Sequence, residues 1–469
     1  MKAGDMDKKA LVFEIVRELK KGNNVALIAF TGWGKTRTAL EVAAELAREG
    51  YKVGMKFPTL TVAVKKFAEL VEILRNANPP PSAILTAGAQ QYCAYKWHYP
   101  QRYCAKCVLY KNVEAEAPLR EMRVLTYQDI NTLTPDHLCG YWIQEKLFPG
   151  YNIIIGHYGR MSKILPHVHY LVIDEVQELF LPNIKTIALS EIAEALSVDA
   201  SELTSPDVIE EYAEERLKNA DPAREDVIHL LLQMLRSTCW IEDNALNCLE
   251  LRQMPSGIPS LMLTATPPPG WPPEGWGRKI EIKQPVKPRA FVEPEAKFFY
   301  RDGYKGISLQ LYYVIRWLKN KFGARCIAVF ATSSVRRVLE YTLPMEFGRE
   351  PPEREEQIPP SGVVVLDAWG RYRVGVDIRW CDAVALPWPS LHIEARRRLR
   401  AEGRNPDVAE LLLSVQHSGR IMRPRPGETY EDALMKRVVA LIDGRFWNYV
   451  NYLSQFFSIE ELPADIHKI

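Results

Sequence analysis

Apolar runs of strand length alternate along this chain with stretches whose hydrophobic positions recur every three to four residues. The opening stretch MKAGDMDKKALVFEIVRELKKG puts Leu11, Ile15, Val16 and Leu19 on one face of a predicted helix. NNVALIAF then reads as a buried strand, TGWGKT as a loop, and TRTALEVAAELAREG as a helix ending at Gly50. Strand, glycine loop, helix is the order of a parallel βαβ unit. A second strand over residues 51–57 leads into helical spacing in PTLTVAVKKFAELVEIL. Asn78 and the three prolines after it break the pattern, and residues 83–150 read as an insert rich in Cys and Tyr. Strand patterns return at 152–158 and 169–175, residues 180–258 read as mostly helical with acidic faces, and SLMLTATP returns to strand. The Pro-, Gly- and Trp-rich stretch from Pro267 to about Pro288 marks a domain boundary. Beyond it CIAVFAT, GVVVLDA and DAVALPW predict parallel strands of a second α/β domain, with PPEREEQIPPSG as a surface loop.

Composition adds bounds. The chain has 469 residues, 47% hydrophobic and 25% charged, which suits an ordinary globular protein of several domains. A net charge of +2 announces no nucleic acid globally, so any basic track must be local. No window reaches the ~18 apolar residues of a membrane span, and the N-terminus lacks a signal peptide's apolar block. A cytoplasmic protein with reduced thiols is expected. Four of the eight cysteines cluster; the others, Cys239, Cys248, Cys326 and Cys381, read as small buried hydrophobes.

Three segments carry chemistry. AFTGWGKT, from Ala29 to Thr36, holds the second half of the phosphate-loop pattern, with Ala29 at its first glycine. Gly32 and Gly34 let backbone N–H groups turn toward phosphates, and the helix starting at Lys35 adds its positive end. Lys35 would reach the β- and γ-phosphates and Thr36 would ligate Mg²⁺, with Thr31, Trp33 and Arg37 completing the nucleotide contacts. LVIDEVQEL places Asp174 at a strand end to hold Mg²⁺ and Glu175 beside it to polarise the attacking water. SVQHSGRIMRP contains Gln416, Arg420 and Arg423; one helical turn separates the two arginines, so both can face one cleft and stabilise the charge of phosphoryl transfer.

Together these motifs resemble the XPD and DinG helicases of superfamily 2. Q-x-x-G-R-x-x-R is similar to their motif VI, LTATP to motif III, FPTLT to motif Ia and VFATSS to motif IV. WGRYRVGVDI resembles motif V, matching at Gly375 and Asp377, and LIDGRF resembles the D-x-R-[FY] element after motif VI. The chain departs at two places: Gln177 stands where those families carry His, and Val374 where they carry Glu. The resemblance runs from about residue 25 to 447. It implies two RecA-like domains of parallel α/β fold that clasp ATP.

Cys93, Cys104, Cys107 and Cys139 follow C-x10-C-x2-C-x31-C. Four soft thiolates suit zinc or an iron–sulfur cluster, and spacing leaves both open. The resemblance implies a 4Fe–4S cluster. The surrounding aromatics and cations, Tyr103 and Lys106 among them, fit a single-strand platform, and the resemblance adds Thr59, Thr61 and Ser333 as phosphate contacts.

The expected organisation is residues 1–82 and 151–179 as the first helicase domain, 83–150 as the iron–sulfur insert, and 180–258 as a short helical Arch-like insert. Residues 259–288 end that domain and link it to the second, 289–469. The expected activity is a 5′→3′ DNA helicase, a monomeric motor on single-stranded DNA and duplex junctions, helped by a loading partner. An RNA remodeller with a zinc module and an ATP-gated binding subunit stand as alternatives. A short Arch predicts low processivity.

Overall fold

The continuous apolar runs become strands buried on both faces, as parallel sheets require. The computed structural model describes residues 8–76, 78–92, 117–134, 138–218, 222–284, 286–299, 306–342, 362–369 and 378–466. In chain order the first strands are β1 (Asn24–Ala29), β2 (Val53–Phe57), β3 (Ala83–Leu85), β4 (Val124–Leu125), β5 (Ile153–His157) and β6 (Tyr170–Ile173). Next come β7 (Asn183–Ala188), β8 (Thr238–Glu242), β9 (Ala245–Glu250), β10 (Ser260–Thr264) and β11 (Gly277–Ile282). The last are β12 (Arg289–Val292), β13 (Cys326–Ala331), β14 (Gly362–Asp367), β15 (Ala383–Leu386), β16 (Val438–Leu441) and β17 (Ser458–Glu461).

An eight-stranded sheet runs β11-β1-β10-β6-β2-β5-β3-β4 and a six-stranded one β14-β13-β15-β16-β12-β17. Every pairing in both is parallel. The chain is therefore α/β with two parallel-sheet domains. Helices α1 (Lys8–Lys20), α2 (Lys35–Arg48) and α3 (Leu60–Arg75) cover one face of the first sheet through a shared core. The expected stripe of α1 is buried, and Val12, outside that expectation, is buried with it.

One boundary differs from the sequence reading. β3 and β4 lie in the first sheet, and the helix Gly140–Leu147 packs into a core with β3 and β5. The described strands and helix within 83–150 are thus part of the first domain's sheet layer. The Pro- and Trp-rich stretch contains β11, an edge strand of that sheet.

The segment after β6 is not mostly helical. Helices Leu189–Leu196, Pro206–Leu217 and Pro222–Leu235 pack on a three-stranded antiparallel sheet, β7-β9-β8, around their own core. Asp243 and Asn244 join β8 to β9 with φ of 58° and 54°, the left-handed pair of a tight hairpin. This insert touches the second domain. Trp240 stacks on His392 with ring centroids 4.9 Å apart, Ser334 Oγ donates to Glu242 Oε1 at 3.0 Å, and Arg337 pairs with Asp243. Cys239 and Cys248, opposite each other across the hairpin, form a disulfide, as do Cys326 and Cys381. Cys248, Cys326 and Cys381 are buried, as expected of small hydrophobes.

Candidate nucleotide-binding cleft

β1 delivers the chain to Phe30, and the loop that follows turns through Gly32 (φ 87°) and Gly34 (φ 103°) before α2 starts at Lys35. Both angles are left-handed, and a Cβ on Gly32 would also stand 3.2 Å from the Tyr430 ring. Tyr430, from the second domain, stacks on Phe30 with centroids 5.2 Å apart. Lys35 is buried and its Nζ donates to the Phe30 carbonyl at 3.4 Å, folded back along the loop. Burial lowers its pKa, opposed by the carboxylates of Glu175 and Asp174.

Asp174 stands one residue beyond β6, at the sheet's carboxyl edge, where ligands of open α/β sheets bind. Its Oδ2 accepts from Thr36 Oγ1 at 3.0 Å, while its Oδ1 is buried with no hydrogen-bond partner. Burial pushes this carboxyl up to about 7, the Glu175 charge adds to the rise, and Lys35 and the Thr36 hydroxyl oppose it. A dry carboxylate with a spare oxygen beside a threonine hydroxyl is a donor set that suits Mg²⁺. Glu175 adopts φ 55°, a strained conformation for a residue with a side chain.

Gln177 links two motifs. Its Nε2 donates to Glu175 Oε2, and its Oε1 accepts from Thr264 Oγ1 at 2.6 Å, whose oxygen accepts in turn from Thr266 N at 2.9 Å. An amide can donate and accept at once, which fits this bridge.

The second domain closes the cleft with the helix Pro406–Ile421. Gln416, Arg420 and Arg423 line the same cavity, about 650 Å³, as Thr31, Gly32, Gly34, Lys35, Thr36, Arg37, Asp174 and Glu175. Gln416 Nε2 donates to Glu178 Oε1 at 3.1 Å across the domain boundary. Thr59 and Thr61, expected on a nucleic-acid track, line this cavity too, and Thr59 Oγ1 caps α3 by accepting from Val62 N. Trp33 instead turns into the first domain's core.

Ser333 sits apart, in a smaller cavity with Asp243, Asn244, Arg336, Arg337 and Asp367. Cys139, partly exposed, occupies the N-cap of the helix Gly140–Leu147. Cys93, Cys104, Cys107, Tyr103, Lys106, Val374, Gly375 and Asp377 lie outside the described residues. Among the described residues no group of three or more His, Cys, Asp or Glu side chains is gathered to hold a metal ion, and one cysteine does not define a cluster site. No described helix is long and apolar enough to cross a membrane. Sequence reasoning missed Glu178, Arg252, Arg404 and Tyr430. Glu178 directly follows the DEVQ run; the other three carry no local signal.

No family model matches the chain, and no curated protein matches it in sequence. Solved structures do. An XPD helicase aligns with a TM-score of 0.66 at 15% identity, over 97% of this chain and 99% of that one. An apo XPD structure gives 0.56 at 14% identity over 97% and 100%, and Xpd4 of S. tokodaii gives 0.54 at 13% over 97% and 99%. Over nearly its whole length, then, this chain has the two-sheet fold of the XPD helicases.

Proposed function

We propose that this chain is an ATP-hydrolysing motor that moves along a nucleic-acid strand, acting as a DNA helicase with 5′→3′ polarity. One observation carries the reading. The phosphate loop and Asp174 of the first domain face Gln416, Arg420 and Arg423 of the second across one cavity. A cleft with both halves of a phosphoryl-transfer site on separate domains converts nucleotide binding into closure. Lys35 and the loop N–H groups hold the phosphates, and Thr36 and Asp174 would hold Mg²⁺, which supplies charge neutralisation when bound. Glu175 orients the attacking water, while Arg420 and Arg423 stabilise charge on the transferred group. Polarity, the choice of DNA, and a 4Fe–4S cluster on Cys93, Cys104, Cys107 and Cys139 rest on the motif resemblance.

Lys35→Ala tests the core of this reading. The variant should lose ATP turnover and keep single-stranded DNA binding; retained hydrolysis would refute the assignment. Unwinding of 5′- against 3′-tailed duplexes reads polarity. Iron, sulfide and zinc analysis of anaerobically prepared protein decides the metal.

A further inference from the structure

Glu178 lies where the two domains and the insert meet. Its side chain is 1% exposed, and besides Gln416 it faces Arg252, 3.8 Å from its Oε2. Arg252 Nη1 also donates to the Glu178 carbonyl at 3.3 Å. The same guanidinium covers the Tyr158 ring at 5.2 Å, and the Tyr158 hydroxyl donates to the carbonyls of Asp174 and Glu175. Arg252 is two residues past β9, the point at which the insert rejoins the first domain. From the second domain, Arg404 donates to the carbonyls of Arg252 at 2.7 Å and Leu179 at 3.4 Å.

A buried carboxylate is tolerated only with partners, and here one partner belongs to the other domain. Gln416 is held through its nitrogen alone, since its Oε1 is buried without a partner. Glu178 lines the nucleotide cavity, so a terminal phosphate entering it brings negative charge beside this carboxylate. The Gln416 amide can serve one anion or the other. The insert is also anchored on the second domain through Trp240, Glu242 and Asp243, so movement between the domains strains its exit at Arg252.

We propose that Glu178 is a positioning residue for ATP turnover: it holds Gln416 across the domain boundary until a terminal phosphate takes the amide, and Arg252 makes that exchange depend on the insert. The inference rests on reading the cleft as an ATPase site. Gln177, the adjacent polar side chain, is committed to Glu175 and Thr264, and the bond across the domain boundary is made by Glu178.

The test is steady-state ATP hydrolysis by the full chain, with and without a poly-thymidine oligonucleotide, for Glu178→Gln, Arg252→Ala and Arg252→Lys. Losing one charge-assisted contact should lower the ratio of stimulated to basal kcat about tenfold in Glu178→Gln and Arg252→Ala. KM for ATP should fall in Glu178→Gln, because the carboxylate no longer opposes phosphate, and Arg252→Lys should recover most of the ratio. A merely structural role would lower both rates together, leaving the ratio and KM as in the wild type, and that result overturns the proposal. If Glu178→Gln does not fold, the Arg252 pair decides by the same ratio. A wild type that hydrolyses no ATP under either condition overturns the ATPase reading itself and this inference with it.

Discussion

Thr36 and Asp174, 138 positions apart in sequence, are joined by a hydrogen bond of 3.0 Å from hydroxyl to carboxylate. The bond ties the first turn of α2 to the carboxyl edge of β6, where the proposed Mg²⁺ would sit. Thr36→Val keeps the shape and removes the oxygen. Catalytic rate should fall about a hundredfold, the scale of losing one preorganised charge-stabilising group. Initial rates against Mg²⁺ concentration check this; a wild-type rate and Mg²⁺ dependence would remove Thr36 from the metal site.

Gln177 is the next point at which the cleft can be tested. Gln177→Ala takes a donor from Glu175 and an acceptor from Thr264, though Thr264 keeps its bond from Thr266 N. Leaving buried groups unpaired costs about 1–3 kcal/mol, so a roughly tenfold loss of kcat is expected. Gln177→His should restore part of it by supplying a ring N–H to Glu175. Equal kcat in all three proteins would show that the bridge has no part in turnover.

Trp240 holds the insert to the second domain. It is 5% exposed and its Nε1 donates to Glu242 Oε2 at 3.3 Å, beside the stack on His392. Trp240→Ala should cost about 3–5 kcal/mol at this contact, whereas Trp240→Phe keeps the ring and should cost far less. Limited proteolysis reports the difference: cleavage in residues 183–250 should accelerate in the alanine variant and stay near wild type in the phenylalanine one.

What could be read from the sequence follows from what sequence encodes locally. β1, β6, β10, β13 and β15 are runs of apolar residues buried on both faces, and such runs are legible. The phosphate loop was legible because its glycines and lysine serve a fixed local geometry. β3 and β4, three and two residues long, were hidden in a stretch dominated by its cysteines. β8 and β9 show mixed burial and neighbour helical patterns, so no clean alternation marked them. The cross-domain pairs Glu178–Gln416 and Phe30–Tyr430 exist only once both sheets are assembled, and no spacing rule reaches across them. Thr59 and Thr61 line the same cavity as the phosphate loop, a juxtaposition that the spacing within FPTLT does not announce.

Asp174 sets a conflict between stability and function that pH can expose. Its carboxyl is held at about 7 in the folded protein against 3.8 for an exposed aspartate, with burial as the main cause. A raised pKa means that the group's stabilising contribution is full below about 3.8 and is lost as pH rises through 7. Above that, folding keeps a charge in a dry site. Asp174→Asn removes the charge, so the variant's stability advantage should grow between about pH 4 and 7 and then level off at roughly 1–4 kcal/mol. Thermal melting of both proteins without Mg²⁺ measures this. Adding Mg²⁺ with a non-hydrolysable ATP analogue should reverse the order above pH 7, because only the wild type gains a cation partner for its carboxylate. A wild type that melts at or above the variant throughout, without Mg²⁺, would show that the carboxylate is already compensated and that its site was not built to wait for a metal.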